Sequence, residues 1–326
     1  MLKLDLKDRK ILVELDLNAR MPLTELSKKV ELSRQVVEYR IKRMQEENII
    51  LGAKAVFDTA VIGYSWYRIM LRLLNITKEQ KAQLLSELKS HPHTFWLGEV
   101  GEDWDVVVNL ICKDHFQFNK IFEEFFAKHS KFILDYEVLI YLNAHDFSRS
   151  YLTSMTPEKE ELFHEMKVNQ DYQLDELDKR IIAELSQDAW INNIQLGQKL
   201  GVAGNTIRNR IDLMTKNKLL LGFRLFINPS VIGYQSYMLF LSINKLNLKR
   251  EAELFAFLSS TPQITFAVKH IGKWRIGLEI ETKTLNEFQD IFVEIRGKFA
   301  DIITDFDSFP LFKDHMINYF PQGCLE

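Results

Sequence analysis

Cysteine is nearly absent from the 326-residue chain: Cys112 and Cys324 stand alone and far apart. Two such residues build neither a disulfide scaffold nor a thiolate metal cluster, and they fit a reducing compartment. Long apolar runs are missing as well. None approaches the ~18–20 residues of a membrane span, and the first residues alternate in charge (Lys3, Asp5, Lys7, Asp8, Arg9) instead of leading into an apolar signal core. A cytoplasmic location without membrane contact is therefore expected. Nor does charge of one sign dominate, since 42 Lys and Arg face 45 Asp and Glu for a net charge of −3. Any nucleic-acid footprint has to be local.

Catalytic signatures are missing too. No Gly-x-Gly-x-x-Gly, phosphate-binding P-loop or Gly-x-Ser-x-Gly elbow occurs, so the expectation is that the chain is not an enzyme and carries no cofactor. His91-Pro92-His93 lacks a third ligand at zinc-like spacing and reads as surface histidines, so no metal is expected. What is present is apolar and aromatic: 46% and 12% of the residues. A chain of this size holds more than one core, which predicts several small domains.

An internal repeat organises them. Residues 8–64 align without a gap on 178–234. Asp8-Arg9-Lys10-Ile11-Leu12 answers Asp178-Lys179-Arg180-Ile181-Ile182, and Val61-Ile62-Gly63-Tyr64 answers Val231-Ile232-Gly233-Tyr234. The correspondence continues through Trp104 and Trp274, Ile121-Phe122 and Ile291-Phe292, and Ile133 and Ile303. A repeat this long is a duplication of a whole unit.

Each unit opens with three short helices by apolar period. In the first unit they carry Leu6, Ile11, Leu12 and Leu15, then Leu23, Leu26 and Val30 behind Pro22, then Val36, Val37, Ile41 and Met44 behind the N-cap Ser33. In the second they carry Ile181, Ile182 and Leu185, then Ile194, Leu196 and Leu200, then, past a turn at Gly201, Ile207, Ile211 and Met214. The rest of each unit alternates period as strand, helix, strand, strand, helix, strand. The first unit gives 65–74, 77–89, 94–100, 104–112, 115–129 and 132–142; the second gives 236–244, 248–259, 263–270, 274–281, 285–298 and 302–310. The predicted fold class is α+β: two repeats of a three-helix helix-turn-helix followed by a ferredoxin-like βαββαβ domain, with one sheet face left free to pair. Expected boundaries are 1–60 and 61–143 for the first unit, 144–174 for a polar linker, and 175–230 and 231–326 for the second. Within that linker the charged run Glu158-Lys159-Glu160-Glu161 has local helical promise.

The third helix of such a domain fits the major groove, its first residues reaching base edges. In the first unit Ser33, Arg34, Gln35, Glu38 and Tyr39 are the candidates, with Arg40, Lys42 and Arg43 placed for phosphates. Arg34 can donate two bonds to a guanine edge and Gln35 can pair with adenine. In the second the equivalents are Asn205, Thr206, Arg208 and Asn209, with Arg210, Lys216 and Lys218. Basic residues outnumber acidic ones five to three over 33–54 and five to one over 203–224. Solvated helix faces also carry charge. Repetition of three helices, turn and basic third helix favours DNA.

Taken together, Asp8, Ile11-Leu12, Asn18-Ala19-Arg20, Leu26, Leu32-Ser33, Arg40-Ile41, Glu46-Glu47-Asn48-Ile49-Ile50 and Leu51-Gly52 resemble the Lrp/AsnC, or feast/famine, transcription regulators. The resemblance covers both halves. It implies a sequence-specific DNA-binding regulator of double-stranded DNA, whose βαββαβ domain pairs into dimers and larger oligomers that bind small effectors such as amino acids. The family's usual form has one unit per chain. Two units in one chain imply intramolecular pairing of the sensing domains, a homo-oligomer, or both. Unlike third helices, Arg34-Gln35 against Gly204-Asn205, predict two non-identical half-sites. The family's effector loop, Gly-x-Tyr-Asp, is approximated by Gly101, Trp104 and Asp105 with one extra residue, and by Gly272, Trp274 and Arg275 with a cation for the carboxylate. A carboxylate can receive an amino group and an arginine can hold a carboxylate. Equally, a turn needs Gly, and Trp packs on sheets.

Two rival readings use the same scaffold. The sirohaem decarboxylases also resemble Lrp/AsnC proteins, and Tyr67, Arg68, Arg72, His91 or His93 are the residues to serve a porphyrinoid, with Tyr237 and His270 in the second unit. A sensing module without DNA contact is the other, suggested by Gly204 at the second recognition helix.

Overall fold

The computed structural model describes residues 4–153, 161–168, 172–244 and 247–325. Helices α1 (Leu6–Leu17), α2 (Leu23–Val30) and α3 (Arg34–Glu46) form the first helix-turn-helix. Asp5 and Asp8 close a reciprocal capping box on α1, and the Ser33 hydroxyl accepts from the Val36 N–H to start α3. Ile11, Leu12, Leu26, Val37 and Met44 form its fully covered centre.

A strand missed by the sequence pattern follows, β1 (Ile50–Phe57). Then come β2 (Ser65–Leu73), α4 (Lys78–Ser90), β3 (Thr94–Val100), β4 (Val106–Cys112), α5 (His115–His129) and β5 (Ile133–Phe147). The expected βαββαβ order is present, with β5 running well past 142. Short strand β6 (Glu161–His164) falls inside the expected linker and pairs with β5. The expected helical promise at 158–160 lies outside the described residues. His164, Met166 and Tyr172 are buried, so parts of this stretch pack against the body.

The second unit repeats the plan: α6 (Glu176–Gln187), α7 (Asn193–Leu200), α8 (Gly204–Lys216), β7 (Leu220–Ile227), β8 (Gln235–Ile243), α9 (Leu248–Ser260), β9 (Ile264–Ile271), β10 (Ile276–Thr282), α10 (Leu285–Lys298) and β11 (Ile303–Ile317). Helix α8 starts at Ala203 without a side-chain cap. Compensation comes from close helix packing. A Cβ on Gly197 would sit 2.6 Å from the Val202 carbonyl and 3.0 Å from the Gly204 nitrogen, so glycine is required there.

Pairing of the units decides the architecture. The main sheet runs β2-β4-β3-β11-β8-β10-β9-β5, and β5 returns to β2, so eight strands close on themselves with β6 appended. Each long last strand reaches across: β11 pairs with β3, and β5 with β9. A barrel of eight strands has an interior just wide enough for side chains to fill. Here Trp66, Met70, Val107, Tyr141, Met238 and Phe240 fill it, while the alternate residues Tyr67, Ile69 and Leu71 face α4 and α5 outside.

Strands β1 and β7 form a separate antiparallel ribbon between barrel and heads. Helix α1 packs on β7 and α6 on β1, so each head rests on the other unit's strand. The exchange is reciprocal. Asp58 N–H donates to the Leu219 carbonyl and Asn228 N–H to the Ile49 carbonyl, both at 2.9 Å.

Candidate nucleic-acid interface and sensing loops

Helix α3 buries Val37 and Met44, which leaves Ser33, Arg34, Gln35, Glu38 and Tyr39 exposed along its outer side. Tyr39 is 67% exposed, a ring offered to solvent with no intramolecular use. On α8 the exposed set is Asn205, Arg208 and Asn209, with Thr206 half-buried. Arg208 stands 3.9 Å from Asp212 across one turn, a pair too exposed to hold it.

Arg40, Arg43 and Arg210 are placed differently from the phosphate-facing role read for them. Buried Asp8 accepts from Arg40 and Arg43, both at 2.7 Å, and Arg40 also reaches Asp5 at 2.7 Å. Hydrogen bonding to Asp5 and then Asp8 raises the Arg40 guanidinium above its ordinary value. Arg210 pairs with Asp175 at 2.6 Å and with Asp178 at 3.4 Å. These arginines tie each recognition helix to the capping box of the first helix of its head. Among the described residues, the cationic groups on or just past these helices and outside that tie are Arg34, Lys42, Arg208, Lys216 and Lys218; Lys42 and Lys218 have loose partners at 3.9 and 3.6 Å.

The two heads touch. Arg20 donates to the Ile191 carbonyl at 2.9 Å and to the Asn193 side chain at 2.8 Å, while the Trp190 indole donates to the Ala19 carbonyl at 2.9 Å. Arg20 and Trp190 occupy equivalent positions in the repeat.

The expected effector loops have an internal use. Trp104 and Trp274 are buried and meet edge to face with centroids 6.1 Å apart, one from each unit. The Asp105 carboxylate accepts from the Leu73 N–H at 2.7 Å, closing the barrel wall rather than facing solvent. Arg275 is 3.4 Å from Glu251, which also holds Lys269. A Cβ on Gly101 would strike the Phe312 ring at 2.6 Å, and one on Gly272, where φ is +141°, would meet the Val138 carbonyl at 3.0 Å. Both glycines admit a crossing strand of the other unit.

The residues weighed for a porphyrinoid separate in part. Tyr67 and Tyr237 face the outer helices, Arg72 lies 3.5 Å from Asp103 at the surface, and His91 and His93 occupy the turn after α4. Arg68 and His270, however, converge inside the barrel. Arg68 is 1% exposed, bonds Asn109 at 2.9 Å, and lies against the Tyr141 and Phe240 rings. His270 packs edge-on against Tyr141, 4.9 Å between centroids, with neither ring nitrogen partnered. Burial and then the Arg68 charge hold its pKa well below the ordinary histidine value. Reading each unit alone missed this grouping, because only strand pairing between units assembles it. Its one sequence signal is Arg68 at the inward period of Trp66 and Met70.

Against known proteins, residues 4–45 and 174–215 each match the AsnC-type helix-turn-helix domain. A helix-turn-helix-type transcriptional regulator of Pyrococcus furiosus is 29% identical over 130 residues, covering 40% of this chain and 86% of the relative. The proline dehydrogenase transcriptional activator of Rhodobacter capsulatus is 30% identical over 122 residues, 37% of this chain and 79% of that protein. Over its whole length the chain superposes on the crystal structure of the siroheme decarboxylase NirDL with a TM-score of 0.62 and 12% identity, covering 98% of this chain and 96% of that one. At that identity the likeness is one of fold.

This likeness corrects one expectation. Missing catalytic motifs had pointed away from an enzyme, yet the same two-unit architecture is that of an enzyme. Motif absence does not decide activity on a scaffold whose polar core is assembled from both units.

Proposed function

Because the chain belongs to the Lrp/AsnC family, with two of its units in one polypeptide, we propose that it is a sequence-specific DNA-binding transcription regulator reading two unequal half-sites. The observation that carries this is the pair of third helices. Each buries its apolar side in its head and leaves a polar side exposed, Arg34, Gln35 and Tyr39 in one and Asn205, Arg208 and Asn209 in the other. The β1–β7 ribbon and the Arg20 and Trp190 bonds hold the heads together. Half-sites then lie about 34–36 Å apart, one helical turn, or a multiple of it.

Fluorescence anisotropy with a duplex taken from sequence selection tests the reading. Arg34→Ala should cost about 1–3 kcal/mol on the selected site and relax preference at one base pair. Affinity should fall steeply with salt; a slope near zero, meaning few neutralised phosphates, overturns it. Selection should return an imperfect palindrome. A perfect one would speak for separate chains pairing head to identical head. A small effector such as an amino acid is the proposed modulator, tested by repeating the selection with an amino-acid mixture.

The whole-chain likeness to the siroheme decarboxylase, also solved with an iron-uroporphyrin III analogue, carries a second reading in which Arg68 and His270 meet a porphyrinoid. Titration with iron uroporphyrin, read by its absorption band, separates the two. Saturable binding lost in His270→Phe would favour the second.

A further inference from the structure

The two units share a fold but not a filling. Between α4, α5 and the outer face of β2 and β4, the first unit encloses a pocket of about 230 Å³, walled by Ile69, Leu88, Val108, Ile121, Phe122 and Phe125. At the matching places in the second unit stand Leu239, Leu258, Leu278 and Ile291, and Leu239, Leu258 and Leu278 are no more than 1% exposed. His129 takes the position of Phe299, whose ring is fully covered and lies beside Phe257. Helix α10 sinks Phe288, Ile291 and Ile295 into its core, whereas Phe118, Ile121, Phe122 and Phe125 of α5 stay only partly buried. Among the wall positions Val108 is shorter than its counterpart Leu278, while Phe125 is longer than Ile295.

Protein interiors hold few voids larger than a water, and vacated apolar volume destabilises in proportion to its size. An engineered apolar cavity of about 150 Å³ takes benzene, so a pocket half as large again suits two fused rings. Its walls are apolar and its charged groups stand at the rim. At the rim Glu87 is occupied by Lys128 at 2.8 Å and His129 at 3.2 Å. The His91 Nδ1 accepts from the His93 N–H at 3.3 Å, leaving its Nε2 as a donor, and Glu124 stays exposed as an acceptor.

We propose that the pocket between α4 and α5 of the first unit is a ligand site for an uncharged fused-ring aromatic of indole size carrying one N–H donor. The site does not depend on the DNA-binding reading, because its occupancy is measured directly.

The probe is indole, titrated calorimetrically into the full chain. One indole should bind per chain and raise the melting temperature. Val108→Leu, the residue the second unit carries, should weaken indole by about tenfold or more while raising the melting temperature of the free protein. Ile121→Phe fills the same space from the helix side and should do likewise, so a folding failure of one variant leaves the other to decide. Glu124→Gln should leave apolar probes unchanged and weaken indole. No saturable indole binding, or equal binding to both filled variants, overturns the site. Benzene or tryptamine binding as tightly as indole overturns the ligand class.

Discussion

Replacing Arg149 by Met should destabilise the protein strongly. The guanidinium joins three elements. It meets Glu281 of β10 through Nε and Nη2, both at 3.0 Å, and Asp16 of α1 through Nη1 at 3.2 Å. The two carboxylates are 1% and 6% exposed at their side chains. Removing one partner of a buried pair costs about 3–5 kcal/mol, because the other charge stays behind without compensation. Some of that is retained here. Asp16 keeps the Arg149 backbone N–H at 2.6 Å and Glu281 keeps the Tyr151 hydroxyl, which places the loss near the lower bound, about 3 kcal/mol. Denaturant unfolding followed by tryptophan fluorescence reads it. Adding Asp16→Asn and Glu281→Gln to the variant should recover most of it. A loss under about 1 kcal/mol would refute the view that this guanidinium neutralises a buried joint between head and barrel.

Burial lifts Glu279 to about 7, with the Asp314 charge adding to the rise and Arg68 opposing it. A carboxyl raised in the folded state contributes stability below its ordinary value of 4.5 that is lost as pH climbs through about 7. The melting temperature should therefore fall between pH 5.5 and 8, and Glu279→Gln should flatten that slope. Arg20→Ala removes both bonds to the second head and the guanidinium stacked 4.8 Å from the Phe223 centroid. Binding to duplexes with altered half-site spacing should gain relative to the native spacing, with melting nearly unchanged; unaltered spacing preference in anisotropy would count against a spacer role. Gly272→Ala forces a side chain into left-handed backbone against the Val138 carbonyl and Leu139. It should destabilise by more than about 1 kcal/mol, measured by thermal melting, whereas the open Gly297→Ala on α10 should not.

Much of this protein was legible without coordinates, because local physics writes on local sequence. Helical period, the N-cap at Ser33 and the gapless repeat determined six helices of the heads, the βαββαβ order and the exposed sets on α3 and α8. Side chains whose partners stand on another element of the same unit, some 24–32 residues away, were not legible. Asp105 and Arg275 look like ligand-binding charges until Leu73 and Glu251 are seen to hold them, and Arg40 and Arg210 look like phosphate contacts until Asp8 and Asp178 are found beside them.

The amino-acid sequence by itself determined that there are two units, what each is made of, and that their recognition helices differ. Only the tertiary structure decided that β11 joins β3 and β5 joins β9 to close one barrel, that the heads exchange strands, and that Arg68 and His270 meet inside. The physical reason is range. Propensity and periodicity act over a few neighbouring residues, whereas closing a barrel pairs residues about two hundred positions apart, such as Leu311 with Val100, through backbone bonds that any side chain permits.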